Sequence, residues 1–276
     1  MRNRKVCTVL VFLYGTLAAC SSDLKGTELS VTDGEENVTF YDEFRSFDEN
    51  VWTKETHEAG WTNQELQSYD PAQVSVGMDG DKSVLMITAE RKDGHIVSGR
   101  INSKGKKNFR YGTLIASIRL PQTGNGLWPA FWMMGDNGKE WPANGEIDIM
   151  EMGDAEGIKS GTTSTRVNTA LHFGKDTSSH EQEYYATSFV HNLQDGKYHT
   201  YTLVWNESDV EIRIDDVVFH SFDIKDNPYF HDNFFILFNL AVGGTFTGIT
   251  DINAVTALQE GQKATMYVDW IKFIHQ

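Results

Sequence analysis

Short apolar runs separated by turn residues make up most of this 276-residue chain. Val74-Ser75-Val76 and Val84 to Thr88 flank a turn at Asp79-Gly80-Asp81, and Tyr111 to Leu120 stops at Pro121. His199 to Trp205, Val210 to Ile214 and Val217 to Phe222 predict a meander that turns at Asn206 to Asp209 and at Asp215-Asp216. Phe234 to Leu240 and Ala264 to Ile274 supply late strands. Runs of this kind, rich in β-branched and aromatic residues and bounded by Gly, Asn, Asp or Pro, read as strands. No helical stripe of convincing length and no internal repeat interrupts them. Many short strands with turns between them indicate an all-β sandwich or barrel.

One stretch of this pattern carries chemistry. Glu146-Ile147-Asp148-Ile149-Met150-Glu151 places three carboxylates within six residues. Alternation along a strand puts Glu146 and Asp148 on one face and Ile147 and Ile149 on the other. Unbroken alternation would send Glu151 to the back. A β-bulge at Ile149-Met150, with Met150 as the extra residue, would return Glu151 to the acidic face. The Cα atoms of Glu146 and Glu151 would then lie about 13 Å apart, from four strand steps of roughly 3.3 Å. Their side chains could close most of that gap, and a carboxyl separation of about 5–5.5 Å is what a retaining glycosidase uses. On spacing alone, a solvated face of a half-buried strand is the more common origin of such a pattern. A hard-cation site is a second alternative.

The neighbourhood changes the balance. Trp128, Trp132 and Trp141, three of the seven Trp residues, fall within fourteen positions just before the acids. Trp faces stack on the apolar faces of sugar rings, although core packing competes for any one of them. Trp128 and Trp132 are four apart and would share a strand face. Trp141 sits in a turn flanked by Pro and Gly, where a core role is less expected.

The run Trp141-Pro142-Ala143-Asn144-Gly145-Glu146-Ile147-Asp148-Ile149-Met150-Glu151-Met152-Gly153 resembles the active-site signature of glycoside hydrolase family 16, in its laminarinase-like branch. Asn63-Gln64-Glu65-Leu66-Gln67, Ser98-Gly99-Arg100-Ile101, Tyr111-Gly112, Ala170 to Gly174, Asn239 to Gly244 and Met266 to Trp270 resemble further landmarks of that family in the same order. The resemblance implies a β-jelly-roll sandwich of two curved antiparallel sheets, the concave one forming an open substrate groove. It implies a double displacement with Glu146 as nucleophile, Asp148 as its electrostatic helper and Glu151 as general acid/base. Trp128, Trp132 and Trp141 would shape the sugar subsites before the cleaved bond, where Asn63 and Arg100 would hydrogen-bond hydroxyls. His172 would sit on the leaving-group side. Phe246 stands where the family often has Trp, and would stack with less area. No cofactor is implied for catalysis. A structural calcium is implied, with Asp269 as side-chain ligand and Glu43 and Gly80 as backbone partners. The substrate implied is β-1,3-glucan, cut internally, with mixed-linkage β-1,3/1,4-glucan as a further substrate. A galactan hydrolase of the agar or carrageenan type is the alternative within the family. A non-catalytic β-glucan-binding surface lipoprotein is the alternative outside enzymes, and the presence of all three acids ranks it lower.

The start of the chain predicts export. Met1 to Lys5 is basic, Val6 to Ala19 is apolar and of signal-peptide length, and Leu17-Ala18-Ala19-Cys20 resembles a bacterial lipobox. The expected organisation is a lipoprotein signal peptide at 1–19, lipidated Cys20 opening a polar tether at 20–37, and a catalytic domain at 38–276. That organisation predicts a monomer anchored by lipid to a bacterial cell envelope, on its periplasmic or outer surface. Cys7 and Cys20 are the only cysteines, so residues 38–276 hold no disulfide and rely on their core. Removal of Arg2, Arg4 and Lys5 with the signal takes the formal net charge from −15 to −18. Such a surface repels nucleic acid and anionic glycans and favours a neutral polysaccharide.

Overall fold

Two sheets hold the predicted strands in a computed structural model that describes residues 37–275. The signal peptide, Cys20 and all of the tether but its last residue lie outside the described residues. One sheet has ten strands. Its order is Val217–Asp223, Asp209–Ile214, His199–Trp205, Gly112–Arg119, Lys263–Ile274, Lys82–Lys92, His95–Ser98 and Gln67–Tyr69. Val38–Asp42 joins Lys263–Ile274, and Val74–Asp79 joins Lys82–Lys92. The other sheet has eight strands, in the order Glu181–Ser188, Arg166–Phe173, Glu146–Met152, Leu127–Gly135, Phe234–Val242, Arg100–Asn102 and Thr53–Lys54, with Asn108–Phe109 beside Phe234–Val242. Pairing is antiparallel throughout, except between Gln67–Tyr69 and His95–Ser98. This is the jelly-roll sandwich expected above. The predicted meander at 199–223 forms with its strands extended by a residue at most.

Alternation sorts side chains between the interior and the groove. Phe131 and Met133 face the core, whereas Ala130, Trp132 and Met134 cluster with Phe235 and Leu237 on the other face. Phe234, Ile236, Phe238, Leu240 and Val242 are fully buried against the ten-stranded sheet, which contributes Leu85, Ile87, Leu114, Ile118, Tyr201 and Met266. Each such side chain contributes about 1.5–3 kcal/mol on burial, which replaces the disulfides the domain lacks.

The acid strand, Glu146–Met152, carries the bulge. Against Leu127–Gly135, Asp148 pairs Trp132 and Met150 pairs Phe131, which leaves Ile149 without an opposite residue. The register against Arg166–Phe173 also shifts, between Asp148 opposite Ala170 and Glu151 opposite Asn168. Ile149 and Met150 are successive residues, yet both have no exposed surface and both join the core. In the ladder the inserted residue is therefore Ile149, one position before the Met150 that the sequence suggested.

Two elements lack the periodic signal that marks the others. Ala155–Ser160 is an α-helix of six residues, too short to write a stripe, and is started by the Asp154 side chain accepting from Gly157 N–H. Glu181–Ser188 is largely exposed at the sheet edge, so its polar sequence shows no apolar alternation.

Gly145 enters the acid strand at φ +83°, and a Cβ there would lie 2.5 Å from the Tyr229 carbonyl oxygen and 2.9 Å from the Phe234 ring. Gly145→Ala is expected to lower the melting temperature by several degrees in thermal unfolding. Backbone strain of about 1–3 kcal/mol is typical at such a site, and each kcal/mol shifts a domain of this size by roughly 2–4 °C.

Candidate active site

The register aligns the groove side chains in rows across the eight-stranded sheet. Gln182, His172, Glu146, Met134 and Phe235 form one row. Tyr184, Ala170, Asp148, Trp132, Leu237 and Asn102 form the next. Ala186, Asn168, Glu151, Ala130, Asn239 and Arg100 form the third. Each acid thus has its own row. The bulge keeps Glu151 on this face, and Ala130 and Ala170 leave space beside Glu151 and Asp148.

Each acid has a distinct partner. Trp128 Nε1 donates to Glu151 Oε1 at 2.8 Å, and the Trp128 ring stacks on Phe246 at 4.5 Å with planes 16° apart. His172 Nε2 lies 3.1 Å from Asp148 Oδ2 and 4.0 Å from Glu146 Oε1. Its Nδ1 faces His180 Nε2 at 2.9 Å, and Trp141 packs 4.7 Å from the His180 ring. Trp132 Nε1 donates to Asn239 Oδ1 at 2.8 Å while the Arg100 guanidinium sits 4.8 Å over its ring. The three tryptophans expected to act together are therefore divided. Trp128 supports Glu151, Trp132 pairs with Arg100, and Trp141 joins the two histidines.

Arg100 is held by Glu55, 3.0 Å from its Nε, and Glu55 also binds Asn102 at 2.6 Å and His57 at 2.7 Å. His57 stacks on the exposed Trp61 ring at 3.6 Å, which Arg100 also faces. Asn63 is exposed at φ +51° and donates to Glu65 Oε1 at 3.2 Å. Glu65 accepts as well from Gln67 and Tyr69, so this segment forms a wall of paired polar groups next to Asn239. Sequence reasoning missed Glu55, His57, Trp61, His180, Asn168 and Tyr184. Tyr184 is an exposed aromatic in register with Asp148, and Asn168 Nδ2 is buried beside Glu151 without a hydrogen-bond partner. For Asn168 and Tyr184 the signal lies in cross-strand register, and for the others in contacts made by connecting segments, neither of which local spacing encodes.

The expected calcium ligands have other partners. Asp269 Oδ2 is engaged by the Lys82 ammonium. The Glu43 carboxylate binds Arg45 at 2.6 Å and accepts from Tyr41 at 3.2 Å. Gly80 turns the hairpin between Val74–Asp79 and Lys82–Lys92 at φ +65°. A cation of the chain already neutralises the carboxylate meant for the metal. The Asp269 carboxylate, the side-chain ligand expected for calcium, is paired here with Lys82. In the groove, Glu146, Asp148 and His172 offer ligand atoms within 4.8 Å of one another, a spacing that a divalent ion would also accept.

Electrostatics set the acids apart from ordinary carboxylates. Burial, with the charge of Asp148 added, pushes Glu146 up to about 8, against the opposing pull of His172. Burial likewise raises Asp148 and Glu151, and the Trp128 N–H acts to lower Glu151. Charged forms are disfavoured where water is excluded and like charges crowd. Protons are therefore retained among the three acids near neutral pH, and a proton donor and a carboxylate can coexist in one site.

A sequence model described as "Glycosyl hydrolases family 16" matches residues 53–272. The glucan endo-1,3-beta-glucosidase A1 of Niallia circulans is 31% identical over 86% of this chain, which spans 37% of that protein's length. The beta-glucanase of Rhodothermus marinus is 29% identical over 99% of the chain and 96% of its own length. Among solved structures, a GH16 protein of the Bacteroides ovatus mixed linkage glucan PUL, in complex with a G4G4G3G product, superposes with a TM-score of 0.85. It is 65% identical and the match covers 85% of this chain and 99% of that one.

The raised carboxyls carry a stability consequence. Between about pH 4.5, where an unfolded Glu ionises, and about pH 8, the folded cluster of Glu146, Asp148 and Glu151 retains protons that the unfolded chain has released. The folded state loses stability as pH rises through that window. Glu146→Gln reduces this loss, so the variant should melt several degrees above the wild type at pH 8 and alongside it below pH 5. Thermal unfolding across pH checks this, and a constant offset would refute it.

Proposed function

The chain belongs to glycosyl hydrolases family 16, and from that premise we propose that it is a retaining endo-hydrolase of neutral β-glucan that prefers mixed-linkage β-1,3/1,4-glucan and also cuts β-1,3-glucan. The observation that carries the preference is the 65% identity to the Bacteroides ovatus mixed-linkage glucan protein, well above the 31% shared with the Niallia circulans endo-1,3-glucosidase. Endo cleavage is supported by the rows of groove side chains, which continue on both sides of the acids, to Tyr184 on one flank and Asn102 and Arg100 on the other.

In this reading the Glu146 carboxylate attacks the anomeric carbon as Glu151 gives its proton to the departing glycosidic oxygen. The carbon–oxygen bond to the leaving chain breaks and a glycosyl ester forms on Glu146. Glu151, now ionised, takes a proton from water as that water attacks the same carbon, which frees Glu146 and restores the original configuration. Trp128 aims Glu151 through its N–H and favours the ionised form needed for the second step. Asp148, paired with His172, supports the charge changes on Glu146. We also propose that lipid on Cys20 holds the protein at the cell envelope.

A polysaccharide panel followed by NMR tests the reading. Mixed-linkage β-glucan should be cut fastest to short oligosaccharides, β-1,3-glucan more slowly, and agar and carrageenan not at all, with the β-anomer appearing first. Glu146→Gln and Glu151→Gln should each lower kcat on polysaccharide at least about 10³-fold while the protein stays folded. An α-anomer in the first product, or turnover confined to galactans, would overturn it. For the anchor, Cys20→Ala should move the protein from the membrane fraction to the soluble fraction, and continued membrane association would refute lipidation there.

A further inference from the structure

A second cluster of titratable side chains lies outside the groove sheet. His199 opens the strand His199–Trp205 and is nearly buried, and its Nδ1 lies 2.7 Å from Asp215 Oδ2. His191, on the connection between Glu181–Ser188 and that strand, brings Nε2 to 3.0 Å from the same oxygen. The three ligand atoms fall within 4.8 Å of one another. They come from three separate segments, since Asp215 belongs to the turn between Asp209–Ile214 and Val217–Asp223.

From this geometry we propose that His191, His199 and Asp215 bind a divalent transition-metal ion of the zinc type. Two imidazoles and one carboxylate are the donors such ions select, whereas calcium and magnesium take oxygen ligands. Three protein ligands leave a fourth tetrahedral position for water, and the side chain of His191 is 46% exposed, so the site is reachable from solvent.

The surroundings are built as a ligand's supports are built. Asp215 Oδ1 accepts the Thr200 N–H at 2.9 Å, which fixes the carboxylate and turns Oδ2 toward the histidines. The far nitrogen of His199, Nε2, faces Asp195 Oδ1 at 3.1 Å, and Asp195 Oδ2 is held by Lys197 at 2.9 Å. A carboxylate behind a ligating histidine fixes its tautomer and raises its basicity. Tyr201, two residues on and so on the same strand face as His199, has a fully buried hydroxyl without a hydrogen-bond partner, in the field of Asp215 and Asp195.

The ion would tie the 189–198 connection to the turn at Asp215. That connection carries Gln194, which accepts from the Thr123 N–H at 2.9 Å and donates to the Thr163 carbonyl at 2.8 Å. The site therefore acts on stability and leaves the groove chemistry alone.

Titration of the full-length protein with ZnCl2 by calorimetry, and with CoCl2 by visible absorption, tests this. One equivalent should bind, cobalt should give the intense d–d bands of a tetrahedral site, and the melting temperature should rise with metal. His191→Ala, at an exposed position, should weaken binding at least about 10-fold and abolish the thermal shift with hydrolysis unchanged. Glu146→Gln should bind as the wild type does. Absence of binding, or binding that His191→Ala leaves intact and Glu146→Gln abolishes, would overturn the proposal; the latter would assign the metal to the groove acids.

Discussion

The inserted residue at Ile149 couples the hydrophobic core to the chemistry of the groove. Ile149 and Met150 are both fully buried, which uninterrupted alternation would forbid for successive residues. Turning either one out would forfeit about 1.5–3 kcal/mol of burial and open a void in a close-packed interior. The core therefore holds the bulge in place, and the bulge holds Glu151 on the face of Glu146 and Asp148. Gly145 serves the same end from the other side, because the strand can begin only where backbone passes close to Tyr229 and Phe234.

Placing three acids on one face of a water-poor groove costs stability, and the neighbours moderate that cost without removing it. Arg100 is the obvious cation to neutralise them, but its Nε is committed to Glu55, itself bound by Asn102 and His57. An unpaired Arg at that point would draw the carboxyl pKa values down and strip the site of its proton donor near neutral pH. Glu55 thus acts on the acids indirectly, by occupying Arg100. His172 pulls Glu146 down directly, and more strongly than Arg100 does. What remains is a cluster that retains protons near neutral pH, a property of use to acid catalysis and a burden to the fold.

Most of the fold was legible because the strands of the ten-stranded sheet have strong apolar runs and turns rich in Gly, Asn and Asp. The meander at 199–223 could be placed almost to the residue. The bulge was legible from its two neighbouring apolar residues, although not which of them lacks a cross-strand partner, since that depends on the register of Leu127–Gly135. The edge strand Glu181–Ser188 and the helix Ala155–Ser160 were not legible: one is polar and exposed, the other shorter than two turns. The grouping of the tryptophans was hidden for a different reason. Trp128, Trp132 and Trp141 are neighbours in sequence, but Arg100 reaches Trp132 through strand pairing while Phe246 and His180 arrive on connecting segments. The Lys82–Asp269 pair, 187 residues apart, is brought together by the pairing of Lys82–Lys92 with Lys263–Ile274.

The acid motif and the determinants of substrate choice are physically separate. Carboxylates that act on an anomeric carbon respond to that carbon and its leaving oxygen, which β-1,3 and β-1,4 bonds share. The two linkages differ in how one ring is set against the next. Ring orientation is felt by flat surfaces at fixed places, and the aromatic rings of this groove are held by contacts of their own: Trp132 under Arg100, Trp61 against His57 and Trp128 on Phe246. Stacking is selective for neutral rings with apolar faces, and the formal charge of −15 adds a penalty for anionic ones. The aromatic positions can therefore vary while the strand of acids, pinned by its own burial, stays fixed.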